Sequence, residues 1–171
     1  DDSEDKLTIG LGSTLGTTSH MTFDSTGAIL KPLQPAFLVV GSGDQFNLAI
    51  NTTHDVNFTS EVFDQNADFA SSTFTAPVTG RYQLNVKILF VSVDVDYTFL
   101  NTFLVTSNRS YGYTINSVGF DTDGYVTSTV NQLVDMDAGD TAKVQIEIPN
   151  QGQAQTDTSA ANSYFSGYLV A

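Results

Sequence analysis

The sequence predicts an all-β protein in which two sheets pack face to face. Apolar residues recur at every second position from Tyr82 to Phe90, which is the period of a strand with one buried face. Many short apolar segments occur at regular spacing, separated by turns rich in Gly, Pro, Asn and Asp. No segment of useful length has the period of an amphipathic helix. These three observations together favour a β-sandwich.

The first 35 residues are expected to form an extended connector. Residues 1–6 are mostly charged and are expected to form a frayed end. The segment after them has short apolar pairs, such as Leu7 with Ile9 and Met21 with Phe23, broken by Gly, Ser and Thr. Strands this short cannot bury a face alone, so we expect the segment to wrap a partner chain or pack against copies of itself about a three-fold axis. The segment 21–32, MTFDSTGAILKP, resembles the connectors that precede head domains in bacteriophage fibre proteins.

Residues 36–171 are expected to form the head, and its central strand follows Gly80. The side opposite the apolar positions is polar at Gln83, Asn85 and Lys87 and then apolar at Leu89, Val91 and Val93. The far half of this strand is therefore expected to be covered on both sides, by a second sheet on one and by a neighbouring subunit on the other.

The other strands of the head follow from the same alternation. They are predicted at 36–40, 45–50, 97–106, 111–118, 125–134, 141–148 and 164–170, with a polar loop at 151–162. In segment 45–50 the alternating apolar residues begin with Phe46. Strand 97–106 is apolar on both faces and is expected to lie between the core and a subunit interface. The aromatic residues predicted for the core or the trimer contact are Tyr82, Phe90, Phe99, Phe103, Phe165 and Tyr168.

One stretch carries a family resemblance. Its residues are Phe58, Asp64, Phe69, Phe74, Gly80, Tyr82 and Leu84. This pattern resembles the signature of the C1q domain, the trimeric jelly roll shared with tumour-necrosis-factor-like proteins, although Phe69 and Phe74 stand two residues closer than usual and Leu84 replaces an aromatic. Segments 133–148 and 163–171 resemble the Gly-Asp hairpin and the closing strand of that family. The resemblance implies a ten-stranded C1q/TNF-like jelly roll that assembles as a homotrimer.

Composition excludes several classes of function. The net charge of -13, from 19 acidic and 6 basic residues, argues against nucleic acid as a partner, because phosphate contacts need Lys and Arg. Cysteine is absent, so neither disulfides nor thiolate metal sites are expected. No apolar run approaches the length that spans a bilayer, so membrane insertion is not expected. The start lacks Met and a signal pattern, which indicates a fragment or a processed chain.

Paired aspartates are the candidate metal ligands. Alternate residues of an extended segment point the same way, and calcium takes several oxygen ligands at once. The pairs are Asp94 with Asp96 and Asp121 with Asp123, and a third is Asp135 with Asp137. Some members of the resembled family hold calcium near the trimer axis. Solvated turn aspartates are the favoured alternative, because DTDG at 121–124 is only the head of an EF-hand loop and the twelfth position is Gln132.

The sequence predicts binding rather than catalysis. His20 and His54 are the only histidines, and neither stands in a catalytic or metal-binding spacing. Four aromatic residues bracket a loop expected at one end of the sandwich, and they could stack on sugars, anchor a protein contact or pack the sheet and the trimer. These residues are Tyr111, Tyr113, Phe120 and Tyr125.

The expected function is that of a non-enzymatic trimeric head on a bacteriophage fibre or virion surface. Its expected partners are other copies of the chain, other virion proteins and a host-surface glycan or protein. The alternative is a secreted cellular C1q-like protein that binds extracellular proteins or glycans. Both expectations rest in part on family analogy, because one fold serves many functions.

Overall fold

The computed structural model describes residues 6–12, 18–94, 97–116, 124–149 and 155–171, which contain fifteen β-strands. They are β1 (Leu7–Gly10), β2 (Ser19–Phe23), β3 (Ile29–Leu30), β4 (Ala36–Val40), β5 (Gln45–Ala49), β6 (Thr53–Asp55), β7 (Ser60–Gln65), β8 (Phe69–Ala70), β9 (Thr73–Thr75), β10 (Gly80–Val93), β11 (Phe99–Thr106), β12 (Ser110–Asn116), β13 (Gly124–Met136), β14 (Thr141–Glu147) and β15 (Gln155–Leu169). In these residues no helix is long and apolar enough to span a bilayer.

The head is a sandwich of two sheets, as predicted, and each sheet has six strands. The first sheet has the order β13-β10-β15-β4-β7, with β5 beside β15. The second has the order β12-β11-β14-β9-β8, with β6 beside β14. The all-β jelly-roll prediction is confirmed. The described head contains twelve strands where ten were expected, because short segments such as β6 and β8 are separate strands.

The core lies between the sheets. The inward residues of β10 from Tyr82 to Phe90 are fully buried, and so are those of β14 opposite them. Phe37 of β4 stacks on Phe69 and Phe74 of the second sheet, with ring centroids 5.2 and 4.7 Å away. Phe165 of β15 meets Phe37 edge to face at 5.0 Å. Aromatic pairs contribute about 0.5–1.5 kcal/mol each beyond area burial, so this cluster ties the sheets together.

A two-residue turn explains the short spacing between Phe69 and Phe74. These two phenylalanines are paired across the β8–β9 hairpin. Its turn residues, Ser71 and Ser72, both have positive φ (49° and 60°), as a tight hairpin with the right twist requires. The Ser72 hydroxyl then accepts a hydrogen bond from the Phe58 amide at 3.0 Å. The family spacing is shortened without loss of the aromatic core.

A bulge near the end of β10 changes which side Val93 faces. The register of β10 against β13 shifts between Phe90 and Val93, and Ser92 has a φ of 55°. A bulge inserts one residue and reverses the alternation beyond it. Val93 is therefore fully buried in the core, and the prediction that it lies on the outer face with Leu89 and Val91 is wrong.

The predicted polar loop at 151–162 is wrong for residues 155–162, because β15 begins at Gln155. Residues 157–159 pair with β10. Thr158, Ser159 and Ser163 are buried although they are polar. The Ser163 hydroxyl donates to the Ser159 carbonyl at 2.6 Å and accepts from the Leu89 amide at 3.0 Å. Small neutral side chains with satisfied hydrogen bonds can enter a sheet that hydropathy does not indicate.

The predicted alternation of segment 45–50 also fails. Phe46 is exposed, whereas Leu48 and Ile50 pack against the core. Asn47 has a φ of 57°, so the strand does not continue with its regular period through this residue. The left-handed backbone of Asn47 is stabilised by a hydrogen bond from its backbone N–H to the Asp157 carboxylate at 2.8 Å.

Strands β1, β2 and β3 form a separate three-stranded antiparallel sheet. The β2–β3 turn is closed by Asp24, whose carboxylate accepts hydrogen bonds from the Thr26 amide and hydroxyl and from the Ala28 amide. These hydrogen bonds, above all that from the Thr26 hydroxyl, lower the pKa of Asp24. Residues 31–35 then lead into β4 of the head.

Candidate functional site

The outer face of the first sheet presents side chains in rows, because the register aligns β13, β10 and β15. The three central rows are Leu133, Gln83 and Tyr168; Asn131, Asn85 and Ser166; and Thr129, Lys87 and Tyr164. We call these nine residues the central face. Leu38 and Val40 of β4 continue its second and third rows.

The central face is unusual in this chain because it has no carboxylate. Its one charged side chain is Lys87, whereas the whole chain carries a net charge of -13. Leu133 and Tyr168 are 48% and 49% exposed, which leaves large apolar groups in contact with water in the single chain. A surface without carboxylates that exposes large apolar groups is typical of a contact with another protein.

The outer face of the second sheet is organised differently. Asn101 donates to the Glu147 carboxylate at 3.2 Å and accepts from the Thr114 hydroxyl at 2.7 Å. Lys143 forms an ion pair with Asp55 at 3.0 Å. A hydrogen bond from Gln145 and the nearby Lys143 lower the pKa of Asp55. Charged side chains that form hydrogen bonds and ion pairs with neighbours on the same face are typical of a face that stays exposed to solvent.

The predicted aromatic set is divided among three places. Tyr82, Phe90 and Phe165 lie in the core, and the Tyr82 hydroxyl donates to the Val78 carbonyl at 2.7 Å. Phe99 and Phe103 are half-buried on the outer face of the second sheet. The Phe103 ring covers Gly112, where an added Cβ would lie 3.0 Å from a ring carbon. Tyr168 belongs to the central face.

The predicted binding tyrosines do not form one described cluster. Tyr111 packs against the core, and with Tyr113 it lines a groove of about 440 Å³ between β12 and β13. Tyr125 is 73% exposed at the start of β13 and does not line this groove. Phe120 lies outside the described residues. The groove therefore contains two of the four aromatic residues predicted for binding.

Asp94, Asp135 and Asp137 are the described members of the three aspartate pairs predicted to bind calcium. Asp94 lies just after β10, and Asp96, Asp121 and Asp123 are outside the described residues. Among the residues that the structure describes, no three His, Cys, Asp or Glu side chains are placed to hold a metal ion. Asp135 is exposed beside its cross-strand neighbour Arg81.

Asp140 stabilises the turn between β13 and β14. Its carboxylate accepts hydrogen bonds from the Ser107 hydroxyl, the Asn108 amide group and the Asp137 backbone amide. These bonds, led by that from Ser107, lower the pKa of Asp140. The β11–β12 and β13–β14 connections are thereby joined.

Sequence reasoning missed most of the central face. It expected a covered outer side only for the far half of β10, because Gln83, Asn85 and Lys87 are polar. The sequence does contain one indication of Gln83, Asn85 and Lys87. Asp and Glu are absent from this part of β10 although the chain is strongly acidic. Leu133 lies in the same row only through the strand pairing, so its spacing in the sequence gives no indication of it.

A sandwich with this strand order has the architecture of C1q and TNF-like proteins. The C1q domain model matches residues 36–170, and the chain belongs to this family. Its domains are typically trimeric and generally serve as non-enzymatic binding modules.

Two solved structures show the same fold. The globular domain of zebrafish complement 1qA protein is 17% identical, with a TM-score of 0.59, over 81% of this chain and 98% of that chain. Murine APRIL at pH 8.0 is 14% identical, with a TM-score of 0.58, over 80% of this chain and 99% of that chain. No curated protein matches the sequence.

Proposed function

We propose that this chain forms a homotrimer through the central face and acts as a non-enzymatic structural and binding head. The observation that carries the proposal is the absence of carboxylates from the central face. Copies that each carry a net charge of -13 repel one another, so they associate best through a surface without acidic groups. Burial of Leu133, Tyr168 and their neighbours supplies about 25 cal/mol per Å² of apolar area.

The second sheet is the less suitable contact surface. Burying its outer face would remove the Lys143–Asp55 pair and the Asn101–Glu147 hydrogen bond from water. Desolvation of such groups costs several kcal/mol per ion unless new partners replace the water. Lys87 is the one charged side chain of the central face, which favours a trimer contact there over one at Phe99 and Phe103.

For the biological role, we propose the head of a bacteriophage fibre or virion surface protein that contacts a host-surface glycan or protein. The support is the connector, a small β-sheet of turn-separated strands that leads directly into β4. Other virion proteins would hold the chain at its N-terminal end. A secreted extracellular binding protein is the second candidate, favoured by the likeness of the head to the zebrafish complement domain.

The trimer is tested by Asn85→Asp, which adds one charge to the central face with almost no change in shape. Asn85 already accepts a hydrogen bond from Gln83, and Asp retains that role. Three carboxylates placed in the contact should raise the dissociation constant of the trimer at least about tenfold, equivalent to about 1.4 kcal/mol. Light scattering and sedimentation at several concentrations and salt levels measure this.

The matched control is Asn116→Asp on the exposed outer face of the second sheet. It adds the same charge elsewhere and should leave the assembly unchanged. A wild-type chain that is a soluble monomer at micromolar concentration contradicts the trimer proposal. Equal weakening by both variants contradicts the placement of the contact.

The proposed biological role is tested on purified virions and on the sequence that the gene encodes upstream of residue 1. Antibodies against the head should label virions in electron microscopy, and mass spectrometry should detect the chain in them. Further β-turn repeats or a particle-attachment domain upstream of residue 1 would support the fibre. Collagen-like Gly-X-Y repeats upstream, with no label on particles, would favour the secreted protein instead.

A further inference from the structure

The N-terminal sheet has one apolar face. The register pairs Leu7 with Phe23, Ile9 with Met21, and Phe23 with Ile29. Residues paired across antiparallel strands have their side chains on the same side of the sheet. These five side chains therefore share one side, and we call them the apolar N-terminal face. The opposite side carries Thr8, Thr22 and Leu30.

The apolar N-terminal face is not covered by the head of its own chain. Leu7, Ile9 and Ile29 are each more than half exposed, and Met21 and Phe23 are only partly buried. Strands of four, five and two residues do not form a stable sheet unless an apolar face is buried. The sheet therefore needs a partner surface.

Hydrogen bonds fix the connection between this sheet and the head. Gln65 Nε2 donates to the carbonyls of Lys31 and Gln34 at 3.0 and 2.8 Å. Asn66 Nδ2 donates to Leu33 at 3.2 Å, and Gln34 Nε2 donates to the Leu169 carbonyl at 2.6 Å. The five residues between β3 and β4 are held against the head, and β4 belongs to the sheet of the central face. Trimerisation through that face thus brings three N-terminal sheets to one end of the assembly.

We propose that the apolar N-terminal face binds the same face of the other two copies and forms a second three-fold contact, continuous with the contact of the heads. The inference rests on the proposed homotrimer. A second copy is the fitting occupant because the face is uncharged and self-complementary, and because symmetry places its copies around one axis. The acidic surfaces of a chain with a net charge of -13 repel their copies.

Single cysteines test this directly, because the chain contains none. Ile29 and Leu30 are adjacent in β3, are 55% and 52% exposed, and lie on opposite faces. In a trimer with one thiol per copy, a short bismaleimide should link about two of every three chains into dimers for Ile29→Cys. Leu30→Cys is the matched control and should give little product. Denaturing gels measure the dimers, and light scattering of the same samples measures assembly.

The outcomes separate the two proposals. A trimer in which Ile29→Cys cross-links and Leu30→Cys does not supports the second contact. A trimer in which Ile29→Cys gives no more product than Leu30→Cys overturns it, and leaves the homotrimer of the head intact. A monomer with no cross-link overturns both.

A second pair of variants does not depend on thiol chemistry. Ile9→Asp places a charge on the apolar N-terminal face, whereas Thr8→Asp places it on the opposite face of the same strand. Chymotrypsin should cut after Phe23 at least about tenfold faster in the trimer of Ile9→Asp, because local opening of the sheet exposes this bond. Equal rates for the two variants would contradict the inference.

Discussion

Each residue of the aromatic and acidic pattern between Phe58 and Leu84 has a structural task. Phe58, Tyr82 and Leu84 are buried in the core. Asp64 accepts hydrogen bonds from the amides of Asp68 and Phe69 at 3.1 and 2.9 Å and so closes the loop before β8. The pattern that indicates the family is therefore a pattern of packing and turn formation, and it does not define a binding site.

Asp68 is the residue in this loop whose charge opposes folding. Its Oδ2 atom is buried without a hydrogen-bond partner in the structure. Burial, with a smaller contribution from the charge of Asp64, raises the pKa of Asp68 above its ordinary value of 3.8. A carboxyl with a raised pKa in the folded state costs stability once the pH rises above 3.8, and the cost is complete above the folded pKa.

We therefore expect Asp68→Asn to raise the unfolding temperature at neutral pH. The gain should shrink as the pH falls from the folded pKa of Asp68 towards 3.8, and it should be absent below 3.8, where Asp68 is protonated in both the folded and the unfolded state. Thermal unfolding of both proteins from pH 3 to 7 measures this. Asp64→Asn is the opposing control, since it loses an acceptor for a backbone amide and should lower the unfolding temperature. Parallel curves for Asp68→Asn and wild type would contradict the prediction.

At the scale of strands, alternation places most of the core, and the exceptions lie at backbone irregularities. The bulge near Ser92 turns Val93 inward, and the left-handed Asn47 leaves Phe46 exposed. Strand β15 also has a register shift opposite residues 87–89 of β10. Ser163 lies in this irregular part and joins the Leu89 amide to the Ser159 carbonyl. A buried hydroxyl thus replaces a regular ladder hydrogen bond.

We expect Ser163→Ala to lower the free energy of unfolding by about 1–3 kcal/mol, because a buried amide loses its acceptor and a buried carbonyl its donor. Chemical denaturation measures the change. Ser110→Ala at the start of β12 is the control, as the Ser110 side chain is exposed. A Ser163→Ala variant as stable as Ser110→Ala would show that the bulge does not depend on this hydroxyl.

At the scale of the whole molecule, charge decides which surfaces can meet. The chain has 19 acidic and 6 basic residues. On the outer face of the second sheet, charged side chains such as Lys143, Asp55 and Glu147 pair with neighbours on the same face. A trimer brings three such chains together, so repulsion across the assembly must be screened by salt. The Debye length falls from about 30 Å at 0.01 M salt to about 10 Å at 0.1 M.

We therefore expect the unfolding temperature of the trimer to rise as NaCl increases over this range, by general screening. Calcium at the same ionic strength should give no additional rise, because Asp140 uses its oxygens within a turn. Calorimetry in NaCl and in CaCl2, with a chelator as reference, measures both effects. A rise specific to calcium would contradict this prediction and would direct attention to Asp121 and Asp123, which Asn substitution would then test.

The sequence by itself determined the fold class, the family and most of the core. Period-two alternation indicates which side chains of β10 and β14 point inward, because burial of a regular strand repeats every two residues. The signature from Phe58 to Leu84 indicates the C1q family, because packing and turn formation restrict those positions to few residue types. The expectation of a trimer also came from the sequence, through the resemblance and through apolar residues on both sides of strands.

Only the tertiary structure decided where the candidate surfaces lie. Leu133, Gln83 and Tyr168 are far apart along the chain, and the register of three strands places them in one row. The apolar N-terminal face likewise depends on which residues of β1, β2 and β3 are opposite one another. Local sequence does not set strand register, because many alignments satisfy the same alternation. The register of the whole sheet, closed by its turns and bulges, selects one of them and so creates each surface.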